Sequence, residues 1–289
     1  MDKQFVDTVS VYITHTCGMA CSLCATYNNY TVKGHYDWKS AKSRMFRWGE
    51  LLDIRQITII GGEPLLHPDV DTWVRGTVDA FKDCDDIVVF TGLTGKKLLK
   101  YKDLIRQWFE IGVSIQISVH DKNDYELSRD TARKILEGLD YEEKVGVDHC
   151  SFDFQKIEYF YKDKLVFKVY EQWDFFPHSL KEIIDGKIYM HENDPALAHS
   201  MCHCRDCHYI VDGYIYKCAL TGVAEMIIEQ LPIGDRERDI LSKVQPLDPF
   251  VVSGFNLSNP IPQCTLCSVK TDKLIPIYPI SIKKPKLIK

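Results

Sequence analysis

Eleven cysteines in a chain of 289 residues fall into two groups whose spacing suits metal ligation. The first is Cys17-Gly18-Met19-Ala20-Cys21-Ser22-Leu23-Cys24, a C-x3-C-x2-C run. Three thiolates in one short loop can converge on one face of an iron–sulfur cube. No fourth cysteine lies nearby, so one iron would have no protein ligand, and an open position is what a catalytic metal site keeps. Zinc with His15 as fourth ligand is the alternative. It favours a closed tetrahedron and paired C-x2-C knuckles, which this run fits poorly. Further on stands Gly61-Gly62-Glu63-Pro64. Its glycines let backbone approach a ligand closely, and Glu63 offers a carboxylate suited to an ammonium group.

The second group is Cys202, Cys204, Cys207, Cys218, Cys264 and Cys267. Asp212-Gly213, flanked by β-branched and aromatic residues, signals a hairpin that returns Cys218 beside Cys202–Cys207. Six cysteines exceed the four that one cluster needs. We assign Cys202, Cys207, Cys218 and one or both of Cys264 and Cys267 to a second metal, with Cys204 the spare. Structural zinc on two C-x2-C knuckles is the alternative there. Cys84 and Cys150 stand alone and read as small buried hydrophobes.

Elements must position these loops. Strands are expected at 9–13, 57–60, 87–90, 113–119, 145–154 and 165–170. Helical spacing of apolar residues covers 38–52, 70–81, 98–111 and 132–139. Alternation of strand and helix implies a mostly parallel sheet, with chemistry gathered at the carboxyl ends of its strands. The cysteine loop follows the first strand, Gly61-Gly62-Glu63 the second and Thr91-Gly92 the third. From about residue 194 the pattern changes to cysteine-dense and then Pro-rich sequence.

The cysteine spacing and the G-G-E-P turn together resemble the radical S-adenosylmethionine superfamily. That resemblance implies a [4Fe-4S] cluster on Cys17, Cys21 and Cys24, whose open iron is chelated by S-adenosylmethionine. It also implies that Gly61, Gly62 and Glu63 bind the cofactor's methionine amino group, and that Ser118 contacts the ribose. His120 follows Ser118 and could face substrate. Cys202 and Cys218 fit C-x10-G-x4-C, which resembles the opening of the SPASM or twitch auxiliary-cluster domains. The full SPASM series is absent, so the shorter twitch form with one auxiliary iron–sulfur cluster is the nearer match. Three features depart from the superfamily: Leu23 replaces an aromatic residue, the third strand ends in Thr91-Gly92-Leu93-Thr94-Gly95, and no glycine–isoleucine adenine motif follows the fifth strand.

The expected architecture is α/β, a partial (β/α)6 TIM-like barrel over 1–193 with a small cysteine-rich auxiliary domain over 194–289. The resemblance implies reductive cleavage of S-adenosylmethionine, then hydrogen abstraction from an organic substrate. A peptide or protein comes first, a carbohydrate or nucleotide next. A flavodoxin- or ferredoxin-like one-electron reductant is the expected partner. A non-catalytic iron–sulfur or zinc protein is the reading of a different class. A net charge of −5 argues against bulk nucleic-acid binding. The basic stretch 283–289 reads as a solvated tail. The start shows no signal peptide, and no apolar run spans a membrane, so a cytoplasmic location is expected.

Overall fold

In the computed structural model, residues 3–149, 153–172, 174–175, 179–252, 256–269 and 275–276 are described. Cys150 and the basic stretch 283–289 lie outside them. Strand β1 (Gln4–Tyr12) leads into the cysteine loop, followed by α1 (Trp38–Leu51), β2 (Leu52–Ile60), α2 (Val70–Ala80) and β3 (Ile87–Thr91). Next come α3 (Gly95–Leu99), α4 (Lys102–Glu110), β4 (Val113–Val119) and α5 (Tyr125–Leu136).

These elements form where the pattern predicts because each buries one stripe. Helix α1 is capped by Asp37, whose carboxylate accepts from the Lys39 N–H at 3.0 Å, and it buries Trp38, Ala41, Met45 and Trp48. On the strands the alternation separates two faces. Val9, Val11, Ile57, Ile59, Ile115 and Ile117 face the helices in one core. By parity Ser10, Thr58, Ser114, Gln116 and Ser118 share the opposite, polar face, where Ser10 and Thr58 are hydrogen-bonded at 2.9 Å.

Three expectations are revised. The helix expected over 98–111 is two helices, because the chain tightens at Tyr101, whose N–H bonds Leu98 O at 2.9 Å. After α5 the strand–helix alternation stops. Strands β5 (Tyr141–His149), β6 (Asp153–Tyr161) and β7 (Lys164–Glu171) form an antiparallel meander. The β6–β7 turn is Lys162-Asp163, with φ of 51° and 60°. Positive φ at both positions gives a hairpin, but Lys-Asp carries none of the usual Asn-Gly signal.

The third revision concerns the chain beyond residue 194. Strand β8 (Asp174–Phe175) is followed by the hairpin β9 (Leu180–Ile184) and β10 (Lys187–Met190), helix α6 (Pro195–Ser200), then β11 (Cys207–Val211) and β12 (Tyr214–Tyr216). Helices α7 (Ala219–Gly222), α8 (Ala224–Gln230) and α9 (Asp235–Leu241) close the region, and β13 (Ile275–Pro276) pairs with β8. Strand β11 lies parallel to β1, from Thr8 opposite Cys207 to Tyr12 opposite Val211. The cysteine-rich segment thus supplies two strands of the central nine-stranded sheet, ordered β12-β11-β1-β2-β3-β4-β7-β6-β5. Strands β11, β1, β2, β3, β4 and β7 are mutually parallel, so their carboxyl ends share one edge. The fold is a mostly parallel α/β sheet with an antiparallel strand or meander at each edge.

Candidate cluster and cofactor site

The cysteine loop leaves β1 at that carboxyl edge and is pinned from three sides. Gly62 N–H donates to Thr14 O at 2.7 Å and Glu63 N–H to Thr16 O at 2.8 Å. His15 N–H donates to Gly34 O at 2.9 Å, and Tyr36 N–H to Ile13 O at 3.0 Å. The two glycines are required by this closeness. A Cβ on Gly61 would sit 2.7 Å from Thr14 O, and one on Gly62 would sit 2.6 Å from Thr16 O. Cys17, Cys21 and Cys24 are in no disulfide, and each is half-buried. Cys17 Sγ accepts from Met19 N–H at 3.3 Å, and Cys24 Sγ lies 3.4 Å from the Thr26 hydroxyl. Three half-buried thiols, two of them with a polar hydrogen beside the sulfur, are a donor set that fits an iron–sulfur cube. Among the described residues no group of three His, Cys, Asp or Glu closes to the geometry of one metal ion. A cube held at its corners asks for wider spacing than ligands of a single ion.

Glu63 is almost fully buried, and its carboxylate faces inward. Oε1 accepts from the Leu65 N–H at 3.1 Å and the Thr91 hydroxyl at 2.9 Å, and Oε2 accepts from the Gly92 N–H at 2.9 Å. The side chain therefore ties the β2 turn to the end of β3. Burial pushes its pKa up from 4.5 to about 7, against the pull of those donors. Since the folded value lies above the unfolded one, the stabilisation is complete below pH 4.5 and is lost as pH rises through 7. Relative to Glu63→Gln, the wild type should lose on the order of 3 kcal/mol across that window, at about 1.4 kcal/mol per unit. The variant keeps the opposing trend of the buried histidines, His15 among them, whose lowered pKa favours the fold as pH rises. Urea unfolding of both proteins at pH 4.5 and 7.5 checks this, and parallel profiles would refute it.

Ser118 is buried on the polar face of β4, and His120 stands just past that strand. The His120 imidazole is hydrogen-bonded through Nδ1 to Gln172 O at 3.1 Å, and burial lowers its pKa. Burial also lowers the pKa of His15, to about 4, so its imidazole is neutral against the Tyr12 hydroxyl at 2.9 Å.

The far cysteines converge as well. One cavity is lined by Cys202, Cys204, Cys218, Cys264 and Cys267, together with Lys217. Cys207 does not line it. Burial pushes Cys202 up to about 11, and the Cys218, Cys264 and Cys207 thiols raise it further. Cys267 is raised by burial and then by Cys218, Cys202 and Cys264. A hydrogen bond between the Cys204 and Cys207 thiols raises the first and lowers the second. Buried thiols that would repel one another as thiolates fit a cationic iron–sulfur core. The cavity gathers five of the six far cysteines, and Cys207 stands beside it, next to Cys204.

Two residues had no signal in the sequence. Tyr27, at φ 57°, donates or accepts a 2.7 Å hydrogen bond with Ser179 and packs the cysteine loop against Leu266 and Leu220. Lys217 is buried at the second cavity, marked in the sequence only by its neighbour Cys218.

Comparison with known proteins bears on the first site most directly. Residues 8–135 match the family described as a 4Fe-4S single cluster domain. The chain is 26% identical over 145 residues to a GTP 3',8-cyclase of Aliarcobacter butzleri, covering 49% of this chain and 44% of that protein. A GTP 3',8-cyclase of Listeria monocytogenes is 27% identical over 146 residues, covering 49% and 43%. The chain thus spans less than half the length of these curated relatives. Among solved structures, BtrN in complex with AdoMet and 2-DOIA matches at 18% identity and a TM-score of 0.45, over 84% of this chain and 88% of that one. Streptococcus suis SuiB bound to precursor peptide SuiA matches at 15% identity and a TM-score of 0.28, over 46% and 37%. No helix among the described residues is long and apolar enough to cross a membrane.

Proposed function

We propose that this chain, a member of the radical S-adenosylmethionine enzymes, reductively cleaves S-adenosylmethionine and abstracts hydrogen from an organic substrate. The observation that carries this reading is the pinning of the three-cysteine loop to Gly61-Gly62-Glu63 by two backbone hydrogen bonds of 2.7 and 2.8 Å. Cys17, Cys21 and Cys24 would hold the cluster and leave one iron open. A [4Fe-4S] cluster held there would supply S-adenosylmethionine with the one electron that reductive cleavage of its C5′–S bond requires.

The remaining work falls to the chain's own groups. The Glu63 carboxylate is engaged by Thr91, Gly92 and Leu65, so the backbone carbonyls of Gly61 and Gly62 are the better acceptors for the cofactor's amino group. Ser118 and His120 would line the approach to ribose and substrate. The neutral imidazole of His120 suits a hydrogen-bonding role there. Residues 194–289 would act as the auxiliary portion, with an iron–sulfur cluster on Cys202, Cys218, Cys264 and Cys267.

A peptide or protein is the first substrate class, since a second cluster beside the core suits such chemistry in the superfamily. A nucleotide is the second, favoured by the relatives named GTP 3',8-cyclase. The electron would come from a flavodoxin- or ferredoxin-like donor. Anaerobically reconstituted protein reduced with dithionite should release 5′-deoxyadenosine from S-adenosylmethionine. An intact cluster that yields none would sink the catalytic reading and leave a structural or redox-sensing iron–sulfur protein.

A further inference from the structure

Lys217 stands between the end of β12 and Cys218, and its side chain is buried, with only 7% of the residue's surface exposed. Its ammonium donates to Arg205 O at 3.0 Å and to Leu257 O. Those two carbonyls use two of its three N–H bonds, and among the described residues no carboxylate forms an ion pair with it. A buried ammonium without an anion is costly, because desolvation is uncompensated. The same side chain lines the cavity of Cys202, Cys204, Cys218, Cys264 and Cys267. As cluster ligands, the thiols of that cavity would be the anions it faces. Lys217 also lies within electrostatic reach of Cys218, Cys264, Asp206 and Cys202, Asp206 being the one carboxylate of the four.

We propose that the Lys217 ammonium is the fixed counter-charge of the second, C-terminal iron–sulfur cluster and holds its reduction potential up. The inference rests on the reading of that cavity as a cluster site. Four thiolates around a [4Fe-4S] core leave a net negative charge that grows by one on reduction. A fixed positive charge in a poorly solvated site therefore favours the reduced form. The two carbonyl anchors serve a second purpose. They keep the ammonium in place and tie the Cys202–Cys207 loop to the 256–257 segment ahead of Cys264.

The test uses full-length protein in which Cys17, Cys21 and Cys24 are alanine, so that any remaining cluster signal belongs to the second site. Iron and sulfide analysis first asks whether that protein holds a cluster. A chain with none overturns the cluster reading itself, independently of Lys217. Given a cluster, Lys217→Gln and Lys217→Arg are compared by redox titration followed by electron paramagnetic resonance. Gln keeps hydrogen-bond donors without the charge; Arg keeps the charge. The midpoint should shift negative in Lys217→Gln and stay near the parent in Lys217→Arg. Loss of the cluster from Lys217→Gln alone is followed by Lys217→Met, which has a similar length and no charge: a Lys217→Met protein that keeps the cluster with an unshifted midpoint overturns the role, and one with a negative shift or no cluster supports it. An unshifted midpoint in Lys217→Gln, or loss of the cluster from both Lys217→Gln and Lys217→Arg, overturns it.

Discussion

Replacing Cys17, Cys21 and Cys24 by alanine should abolish 5′-deoxyadenosine formation and remove about 4 irons per chain, the content of one [4Fe-4S] cluster. The fold should survive. The three thiols are only half-buried. The loop is held instead by backbone bonds from Gly62, Glu63, His15 and Tyr36, which no cysteine side chain makes. Its apolar anchors, Tyr27, Tyr30 and Val32, belong to a core shared with Leu220, Ile227 and Leu266. Circular dichroism should therefore change little while the iron content falls. Product formation at more than a trace, or unchanged iron, would remove the first site from the mechanism.

The second large effect is expected from Gly62→Ala. A Cβ there would meet Thr16 O at 2.6 Å, Cys17 Cβ at 2.7 Å and Thr16 C at 2.8 Å. Two of these atoms are backbone, so no side-chain rotation relieves the clash. Either the turn or the cysteine loop must move. Overpacking of this kind costs about 1–3 kcal/mol. The movement also misplaces Cys17, so cluster occupancy should drop together with the thermal midpoint. Gly18→Ala is the control inside the same loop, since a Cβ there meets nothing within 4 Å. Equal stability and iron content in Gly62→Ala and Gly18→Ala would show that the contact between turn and loop is not what seats the first cluster.

The glycine pair shows how residue type and structural reason can part. The sequence suggests glycine so that a ligand can approach, and Glu63 so that an ammonium can be accepted. In the structure the glycines first make room for the backbone of Thr14 and Thr16. The Glu63 carboxylate is engaged by the end of β3. Position along the chain was legible because each loop directly follows an apolar, β-branched strand. The partner of each side chain was not, because it lies on a different strand.

Sequence by itself determined the candidate residues and their order along the chain. Thiol spacing in a short loop, a Gly-Gly-Glu turn one unit later and the periodicities of strand and helix are local properties, written in adjacent residues. Only the tertiary structure decided that β11 pairs with β1, which puts the Cys202–Cys218 hairpin into the same sheet as the first cysteine loop. Likewise, only it brought Cys202, Cys204, Cys218, Cys264 and Cys267 around one cavity, left Cys207 off its lining, and set Lys217 among them. These are long-range choices. Cys218 and Cys264 are far apart in sequence, and what joins them is the burial of Leu220, Leu266 and Ile227 in one core. Spacing could count six thiols there, but only packing showed that five of them share one cavity.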